Sequence, residues 1–159
     1  MFLGIDNLGS INLRYGRSHG DEVIIRCAQT LEKYVTLPNV WQVENNCFAI
    51  YLDVDTTEEV RQMYDRILLE MMDVCTISAG VVQNSVEMFG DADNLYACAE
   101  IMFEKAKGSE IKTLSFFSEE DLKQRIKTIQ FLEEMQQSID HDFEGFYLCY
   151  QPQIKTGNY

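Results

Sequence analysis

The residues whose types could support chemistry gather in the segment 40–52, which reads VWQVENNCFAIYL. Two apolar runs flank a short polar turn at Glu44, Asn45 and Asn46, residue types that tolerate a tight turn. Cys47 follows the turn and is a candidate nucleophile, but no plausible base stands beside it to activate the thiol. A plain β-hairpin with a half-buried thiol is therefore the simpler interpretation.

Other candidate groups for chemistry are isolated. His19 and His141 lie far apart and lack the cysteine or carboxylate spacing of a zinc site, so we interpret them as exposed or capping histidines. Ser78 lies in a strand-like run and has no triad partner. These positions therefore predict neither a metal centre nor a nucleophilic enzyme.

The elements that position these residues follow from hydrophobic periodicity and capping signals. The sequence predicts a strand at 2–6, a helix capped by Asn7 and running through Leu13, a helix from about Gly20 to Tyr34 with Asp21 and Glu22 in its first turn, the hairpin, a helix capped within 55–57 and running through Met72, a strand at 75–82, a helix from Asp91 or Asp93 to Lys107, and a strand at 112–117. This order predicts an α+β fold with a mixed, mainly antiparallel sheet flanked by helices.

One more helix is predicted after the last strand. Ser118, followed three residues later by Asp121, has the pattern of a capping box. The helix carries an apolar stripe at Leu122, Ile126, Ile129, Leu132, Met135 and Ile139, with Phe131 beside it. Such a helix either lies back on its own domain or serves as a coupling or dimerising helix, and the sequence leaves both open.

Four segments, taken in order, resemble the GGDEF (diguanylate cyclase) domain. The first has the spacing INxxYGxxxGDE, the second is the hairpin, the third has an SxG strand and the fourth has an AK motif. The matching residues are Ile11, Asn12, Tyr15, Gly16, Gly20, Asp21, Glu22, Ser78, Gly80, Ala106 and Lys107. The resemblance implies the palm-like arrangement shared by nucleotide cyclases.

The tail FYLCYQPQIKTGNY looks like the opening strand of an EAL (cyclic di-GMP phosphodiesterase) domain, with its YQP at Tyr150, Gln151 and Pro152. The EAL tripeptide itself is absent from the sequence. We therefore expect a degenerate GGDEF domain at 1–117 without its usual N-terminal helix, a connecting helix at 118–142, and the first strand of a truncated EAL domain at 143–159.

The resemblance implies a reaction that joins two GTP molecules with metal ions held by acidic side chains, since Mg²⁺ prefers carboxylate oxygens. The family places these acids at the end of the first strand and in the third and fourth letters of its signature. Here Gly4 occupies the strand position, and Asn46 and Cys47 occupy the signature pair. The whole degenerate signature reads Glu44, Asn45, Asn46, Cys47 and Phe48. The sequence therefore predicts no catalytic residue and no metal ligand at these positions.

Three residues keep the types with which the family binds nucleotide. Asn12 and Asp21 match its guanine-reading pair, and Lys107 matches its phosphate-contacting lysine. Two cations are lost, because Gly9 and Ile111 stand where the family has a lysine and an arginine. Structural interpretations remain open, with Asn12 as a helix-terminal amide, Asp21 as an N-terminal helix acid and Lys107 as a complement to a helix C-terminus.

Composition restricts the partners and the compartment. The 159 residues carry a net charge of −13, which opposes binding to nucleic acid or to an anionic membrane. The five cysteines lack the spacing of a disulfide framework and fall mostly in apolar runs, as Cys27, Cys98 and Cys149 do, so we interpret them as reduced core residues. The sequence shows neither a membrane span nor a signal peptide. We expect a cytoplasmic fragment.

Three hypotheses about function follow. The first is a catalytically inactive regulatory or dimerisation module of a cyclic di-GMP signalling protein. This module needs no cofactor and acts on an adjacent EAL domain. Homodimer formation and weak GTP binding are further options under this hypothesis. The second is an active diguanylate cyclase that makes cyclic di-GMP from two GTP, with Mg²⁺ held by Asp6, Glu44 and Asp53. The third is a purely structural domain without a ligand.

Overall fold

The computed structural model describes residues 1–44, 46–83, 92–109 and 113–151. Its elements are β1 (Phe2–Ile5), α1 (Leu8–Tyr15), α2 (Arg17–Tyr34), β2 (Val40–Glu44), β3 (Cys47–Ile50), α3 (Thr57–Met71), β4 (Ile77–Val81), α4 (Ala92–Lys107), β5 (Leu114–Phe116) and α5 (Glu119–Asp140). The predicted order of elements is confirmed. Asn45, Asp91, Ile111, Lys112 and Pro152 lie outside the described residues.

The sheet has five strands in the order β2-β3-β1-β4-β5. β1 is central and pairs antiparallel with both β3 and β4, whereas β4 and β5 run parallel. The predicted mixed, mainly antiparallel sheet is therefore confirmed. β2 is the strand at one edge, and its side chains are largely exposed, with Trp41 at 50% and Val43 at 39%.

Side chains alternate between the two faces of the sheet, and each face has its own core. The larger core packs β1, β3 and β4 against α2 and α3, with Leu3, Ile5, Phe48, Ile77, Cys27, Leu31, Tyr64 and Ile67 among its buried residues. The smaller core contains Phe2, Cys47, Ala99 and Phe103, and so joins β1 and β3 to α4. Close approach of α4 depends on Gly80, because a Cβ there would lie 2.1 Å from the carbonyl oxygen of Ala99.

The starts of α1 and α2 differ from two predictions. Asn7 precedes α1 as expected, but it adopts a left-handed conformation with φ of 55° and its side chain makes no capping hydrogen bond. α2 begins at Arg17 rather than near Gly20, so Asp21 and Glu22 lie beyond its first turn. The early start is made possible by Gly16, whose φ of 90° favours glycine and lets one helix follow the other directly.

Capping residues fix the starts of two later helices. Thr56 accepts a hydrogen bond from the backbone N–H of Glu59, and the Glu59 carboxylate accepts one from the Thr56 backbone in return. Ser118 and Asp121 form the same reciprocal pair at the start of α5. Both boundaries agree with the predicted capping signals because a cap depends only on residues three positions apart.

The chain consists of two compact units, Met1–Phe117 and Ser118–Tyr159. In the second unit, α5 ends at Asp140 and His141 caps it, with its backbone N–H donating to Gln137 and Ser138. Residues 143–151 form turns and unpaired chain. Cys149 is exposed, so its prediction as a core residue is wrong, whereas Cys27 and Cys98 are buried as expected.

No helix among the described residues combines the length and the apolar character needed to span a bilayer.

Candidate functional site

The site implied by the sequence lies where β1 and β3 meet. Gly4 is opposite Cys47 on one side and opposite Ser78 of β4 on the other. The hairpin turn therefore lies beside the end of β1, which places the signature positions next to the strand position at which the family carries its first acid. The resemblance to the GGDEF domain implied this neighbourhood, and the strand register places Gly4 and Cys47 side by side.

The ring of Phe103, from α4, occupies the space in front of Gly4. A Cβ built on Gly4 would lie 2.5 Å from Cζ and 2.7 Å from Cε2 of Phe103, and 3.1 Å from Sγ of Cys47. These separations are shorter than carbon–carbon contact distances, which are near 3.5 Å. A carboxylate at this position has no room unless Phe103 moves.

The residues around Gly4 are apolar as well as tightly packed. Phe2, Cys47 and Phe103 are each no more than 3% exposed, and the Phe2 and Phe103 rings contact each other in a tilted arrangement, with 5.3 Å between centroids. Magnesium needs several oxygen ligands and retains water. Within the described part of the chain, no three His, Cys, Asp or Glu side chains converge as a metal site. The divalent ions of the family therefore do not fit the residues at this edge.

Cys47 is a buried, protonated thiol. Burial, and after it the negative charge of Glu44, raises the pKa of Cys47 to about 11. Nucleophilic attack and metal binding both require the thiolate. The structure thus supports the interpretation of Cys47 as a packing residue of the hairpin.

Asn46 fastens the hairpin turn to β1. Its side-chain Nδ2 donates a 3.0 Å hydrogen bond to the carbonyl of Ile5, and its own carbonyl accepts a 2.9 Å bond from the Ile5 N–H. A carboxylate could accept hydrogen bonds but could not donate to the Ile5 carbonyl. An amide at this signature position therefore has a structural role that the family's acid could not fulfil.

Asp6 follows β1 directly at this edge, and it is partly buried. Its Oδ2 accepts a 2.9 Å hydrogen bond from the hydroxyl of Ser78, which is 1% exposed, whereas Oδ1 is buried without a hydrogen-bond partner among the described residues. Burial raises the pKa of Asp6, and the Ser78 hydrogen bond and the charge of Lys107 partly offset that effect. Ser78 of the SxG motif thus holds the Asp6 carboxylate in place.

Asn12 packs directly against Gly20. A Cβ on Gly20 would lie 1.8 Å from Oδ1 of Asn12, so the amide occupies the space that any larger residue at position 20 would need. Oδ1 of Asn12 is buried and has no hydrogen-bond partner in the described structure. The Asn12 amide oxygen therefore accepts no hydrogen bond from the backbone of the described residues. Asp21, the next residue after Gly20, is exposed.

Lys107 lies in the last turn of α4, on the side of Asp6 and Cys47. Its Nζ is 5.5 Å from the centre of the Phe103 ring and 3.6 Å from Oε1 of Glu104. Its positive charge lowers the pKa of both Asp6 and Cys47. Lys107 thus adjoins the edge formed by Gly4 and Cys47, whereas Asn12 belongs with Gly20 and Asp21 in the pair of helices α1 and α2.

The three acids of the active-enzyme hypothesis are not brought together. Asp6 follows β1 at the end where the hairpin turn lies, and Glu44 ends β2 near that turn. Asp53 follows the opposite end of β3, since β1 and β3 are antiparallel and Phe2 pairs with Ala49. Asp53 instead lines a groove of about 790 Å³ with Trp41 and Tyr96, and none of Asn12, Asp21 and Lys107 lines that groove.

Phe103 is the residue in front of Gly4 that sequence reasoning missed. It lies in the predicted apolar helix, four residues before Lys107, and it looks like ordinary core. The available signal was a glycine within a buried strand, because the space left by its missing side chain must be filled by a large side chain from another element. That signal becomes readable only when the two positions are known to face each other.

The sheet order, the hairpin beside β1 and the helices on both faces define a cyclase-like α+β domain. A family model described as "Diguanylate cyclase, GGDEF domain" matches residues 1–112. The chain therefore belongs to the GGDEF domain family of diguanylate cyclases. No curated protein matches it significantly.

Solved structures share this fold. The GGDEF domain of DgcB from Caulobacter crescentus, in complex with c-di-GMP, aligns with a TM-score of 0.64 at 17% identity over 72% of this chain and 74% of that one. The active GGEEF domain of a diguanylate cyclase from Vibrio cholerae aligns at 0.61 and 20% identity, over 74% and 80%. Vibrio cholerae LapD S helix-GGDEF-EAL, bound to c-di-GMP, aligns at 0.63 and 20% identity, over 89% and 35%.

Proposed function

We propose that this chain is a catalytically inactive GGDEF module that regulates a cyclic di-GMP signalling protein in the cytoplasm. The observation that carries the proposal is the Phe103 ring in front of Gly4, where the family's acid would have to stand. Asn46 and Cys47 add to it, because one is committed to a structural hydrogen bond and the other is a protonated thiol. Among the described residues, no group of His, Cys, Asp or Glu side chains could hold the metal ions that activate a triphosphate.

Turnover is the direct test of the inactive assignment. The protein is incubated with GTP and either Mg²⁺ or Mn²⁺, and the products are separated by chromatography, with an active GGDEF domain as the positive control. We expect no cyclic di-GMP. Product formation that disappears in Asp6→Ala would support the active cyclase with unusual ligands and would overturn the proposal.

An adjacent EAL domain is the proposed partner. The alignment with the S helix-GGDEF-EAL structure of LapD extends over 89% of this chain, compared with 72% for the isolated DgcB domain, and so reaches beyond the GGDEF family match at 1–112. The sequence YQP at 150–152 supports the same continuation. A module without turnover influences such a neighbour by making contacts that favour one of its conformational states.

Weak GTP binding is the second part of the proposal. Asn12 packs against Gly20 and exposed Asp21 lies next to the same glycine, so the two residues that match the family's guanine-reading pair are close together. Phosphate contacts are poor without the family's metal ions, so we expect a Kd on the order of 0.1 to 1 mM. Binding should be independent of Mg²⁺, because no metal site remains to couple to it.

Calorimetry with GTP, in the presence and absence of Mg²⁺, tests this second part. Gly20→Ala should weaken binding at least tenfold, since the new methyl group would displace the Asn12 amide. Gly9→Ala is the matched control, because a Cβ at this α1 glycine meets nothing within 4 Å. The absence of heat for the unaltered protein at millimolar GTP would remove nucleotide binding and leave regulation through packing alone.

A further inference from the structure

Carboxylates surround the edge formed by Gly4 and Cys47. Strand pairing places Glu44 of β2 directly opposite Cys47, which in turn lies opposite Gly4. Asp6 follows β1 at the same end of the sheet, where its Oδ2 accepts a 2.9 Å hydrogen bond from Ser78. The ends of β1 and β2 therefore each bring one acid to this edge.

α4 brings two further acids to the same edge. Its Phe103 ring lies in front of Gly4, and Glu100 and Glu104 are three residues before Phe103 and one residue after it. Residues three or four positions apart share a face of a helix, so Glu100 lies on the same side of α4 as both Phe103 and Glu104. Burial is the main cause of the raised pKa of Cys47, and the charges of Glu104 and Glu100 add to it, which agrees with this placement.

Lys107 is the one base among the described residues whose charge acts on both Cys47 and Asp6. Its Nζ lies 3.6 Å from Oε1 of Glu104, so an acid of its own helix already engages it. Residues 110–112 lie outside the described part and contain one acid and one base in sequence. Even without Asp6, whose pKa is raised by burial, three glutamates outweigh this single lysine, and the edge is negative.

A phosphate chain at this edge meets repulsion where the family supplies metal ions. The resemblance places phosphate beside Lys107, and each phosphate group adds negative charge to a nucleotide. Like charges repel more strongly as their number rises and their separation falls, and salt weakens this repulsion at a protein surface. Guanosine presents the same base with no phosphate, so it avoids the repulsion. The negative edge therefore separates guanine ligands by their charge.

We infer that the module selects against phosphate, so that guanosine binds more tightly than GMP, and GMP more tightly than GTP. Glu44, Glu100 and Glu104 are the residues that set this order. The inference rests on the guanine-binding part of the proposed function, which assigns the base to Asn12 and Asp21. The order is the reverse of what a reaction of GTP requires, because such a reaction needs the triphosphate to be held in place.

Affinity as a function of phosphate number tests the order directly. Guanosine, GMP and GTP are titrated by ligand-observed NMR at about 20 mM and at about 300 mM NaCl, without added Mg²⁺. We expect GTP to bind at least fivefold more weakly than guanosine at low salt. High salt should narrow this difference by strengthening GTP binding, while the affinity for uncharged guanosine stays the same. GTP that binds as tightly as guanosine at low salt would overturn the inference.

A neutral replacement on α4 tests the residues. Glu104→Gln removes one charge, keeps the length of the side chain and releases Lys107, so GTP should bind about threefold more tightly while guanosine binds as before. Glu32→Gln, at an exposed position of α2, makes the same change in net charge and is the matched control. Equal gains for GTP in both variants would mean that only the net charge of −13 acts, and would overturn the assignment to this edge.

The inference and the proposed function fail differently. Guanosine binding without any GTP binding would support the inference and remove only the weak GTP binding. Binding of neither ligand at millimolar concentration would remove the inference together with the nucleotide part of the proposed function. Cyclic di-GMP synthesis would remove the inactive assignment while leaving the measured order of affinities in place.

Discussion

Gly4 and Phe103 form a matched pair in which the larger residue occupies the space that the smaller one leaves. In a close-packed interior, a substitution at one position of such a pair is felt at the other. An acid introduced at position 4 therefore needs a second change that makes room at Phe103. The space in front of Gly4 is filled by apolar packing.

Gly4→Asp should destabilise the fold by about 3 kcal/mol, because it overpacks the smaller core and buries a charge. Urea unfolding measures the change in the free energy of unfolding. Phe103→Ala in the same chain should make the effect of Gly4→Asp smaller, and a double-mutant cycle gives the coupling. Gly9→Asp is the control, since a side chain there projects into open space, and we expect a change within about 0.5 kcal/mol.

Asp6→Asn should stabilise the protein at neutral pH. Burial raises the pKa of Asp6 in the folded state, so the folded state holds this proton more tightly than the unfolded state. Protonated Asp6 therefore contributes to the stability of the folded state at low pH. This contribution is lost as the pH rises from the pKa of an ordinary aspartate through the raised pKa of Asp6. Asn carries no charge, and the fall in stability over this range should become shallower.

The measurement is urea unfolding of both proteins at several pH values between about 3.5 and 7. Asp73→Asn, at an exposed aspartate, is the control and should leave the profile unchanged. An Asp6→Asn variant that is less stable than the parent at pH 7 would mean that its interaction with Ser78 and Lys107 outweighs the cost of burial.

At the scale of elements, caps and glycines decide where helices begin. Thr56 and Glu59 start α3 through two reciprocal bonds, and Gly16 allows α2 to start directly after α1. Both devices act over a few residues. The position of α3 matters to the fold because it brings Val60, Tyr64 and Ile67 into the larger core.

Thr56→Ala should lower the free energy of unfolding by about 1 kcal/mol, because the backbone N–H of Glu59 loses its acceptor at the end of α3. Thr57→Ala, one residue further on and exposed, removes a similar hydroxyl without removing the cap and should have a far smaller effect. Thermal and urea unfolding of the two variants make the comparison. Equal losses would show that the cap contributes nothing specific.

At the scale of the whole molecule, excess negative charge should be the dominant long-range electrostatic effect. With a net charge of −13, the folded state repels itself more than the expanded state does, and salt screens this repulsion. Raising NaCl from 20 to 200 mM should therefore shift the urea midpoint upwards at low micromolar protein. A downward shift would mean that ion pairs such as Lys33–Glu70, at 2.5 Å, outweigh the repulsion.

The sequence alone was sufficient for the order of elements, the α+β class, a helix cap within 55–57, the capping box at Ser118, and the family. Periodicity and caps involve residues a few positions apart, so neighbouring sequence is enough to predict them. The start of α2 was predicted wrongly, near Gly20 instead of at Arg17. The glycine that permits it acts through its backbone angle, which no side-chain pattern displays.

The tertiary structure alone decided what fills the space in front of Gly4, why Gly20 is required opposite Asn12, and that Asp6 and Asp53 lie at opposite ends of paired strands. Each of these facts joins residues from different elements, and in the first case residues about a hundred positions apart. Sequence spacing determines which face of an element a residue lies on. Only the packing of elements against one another determines what that residue meets.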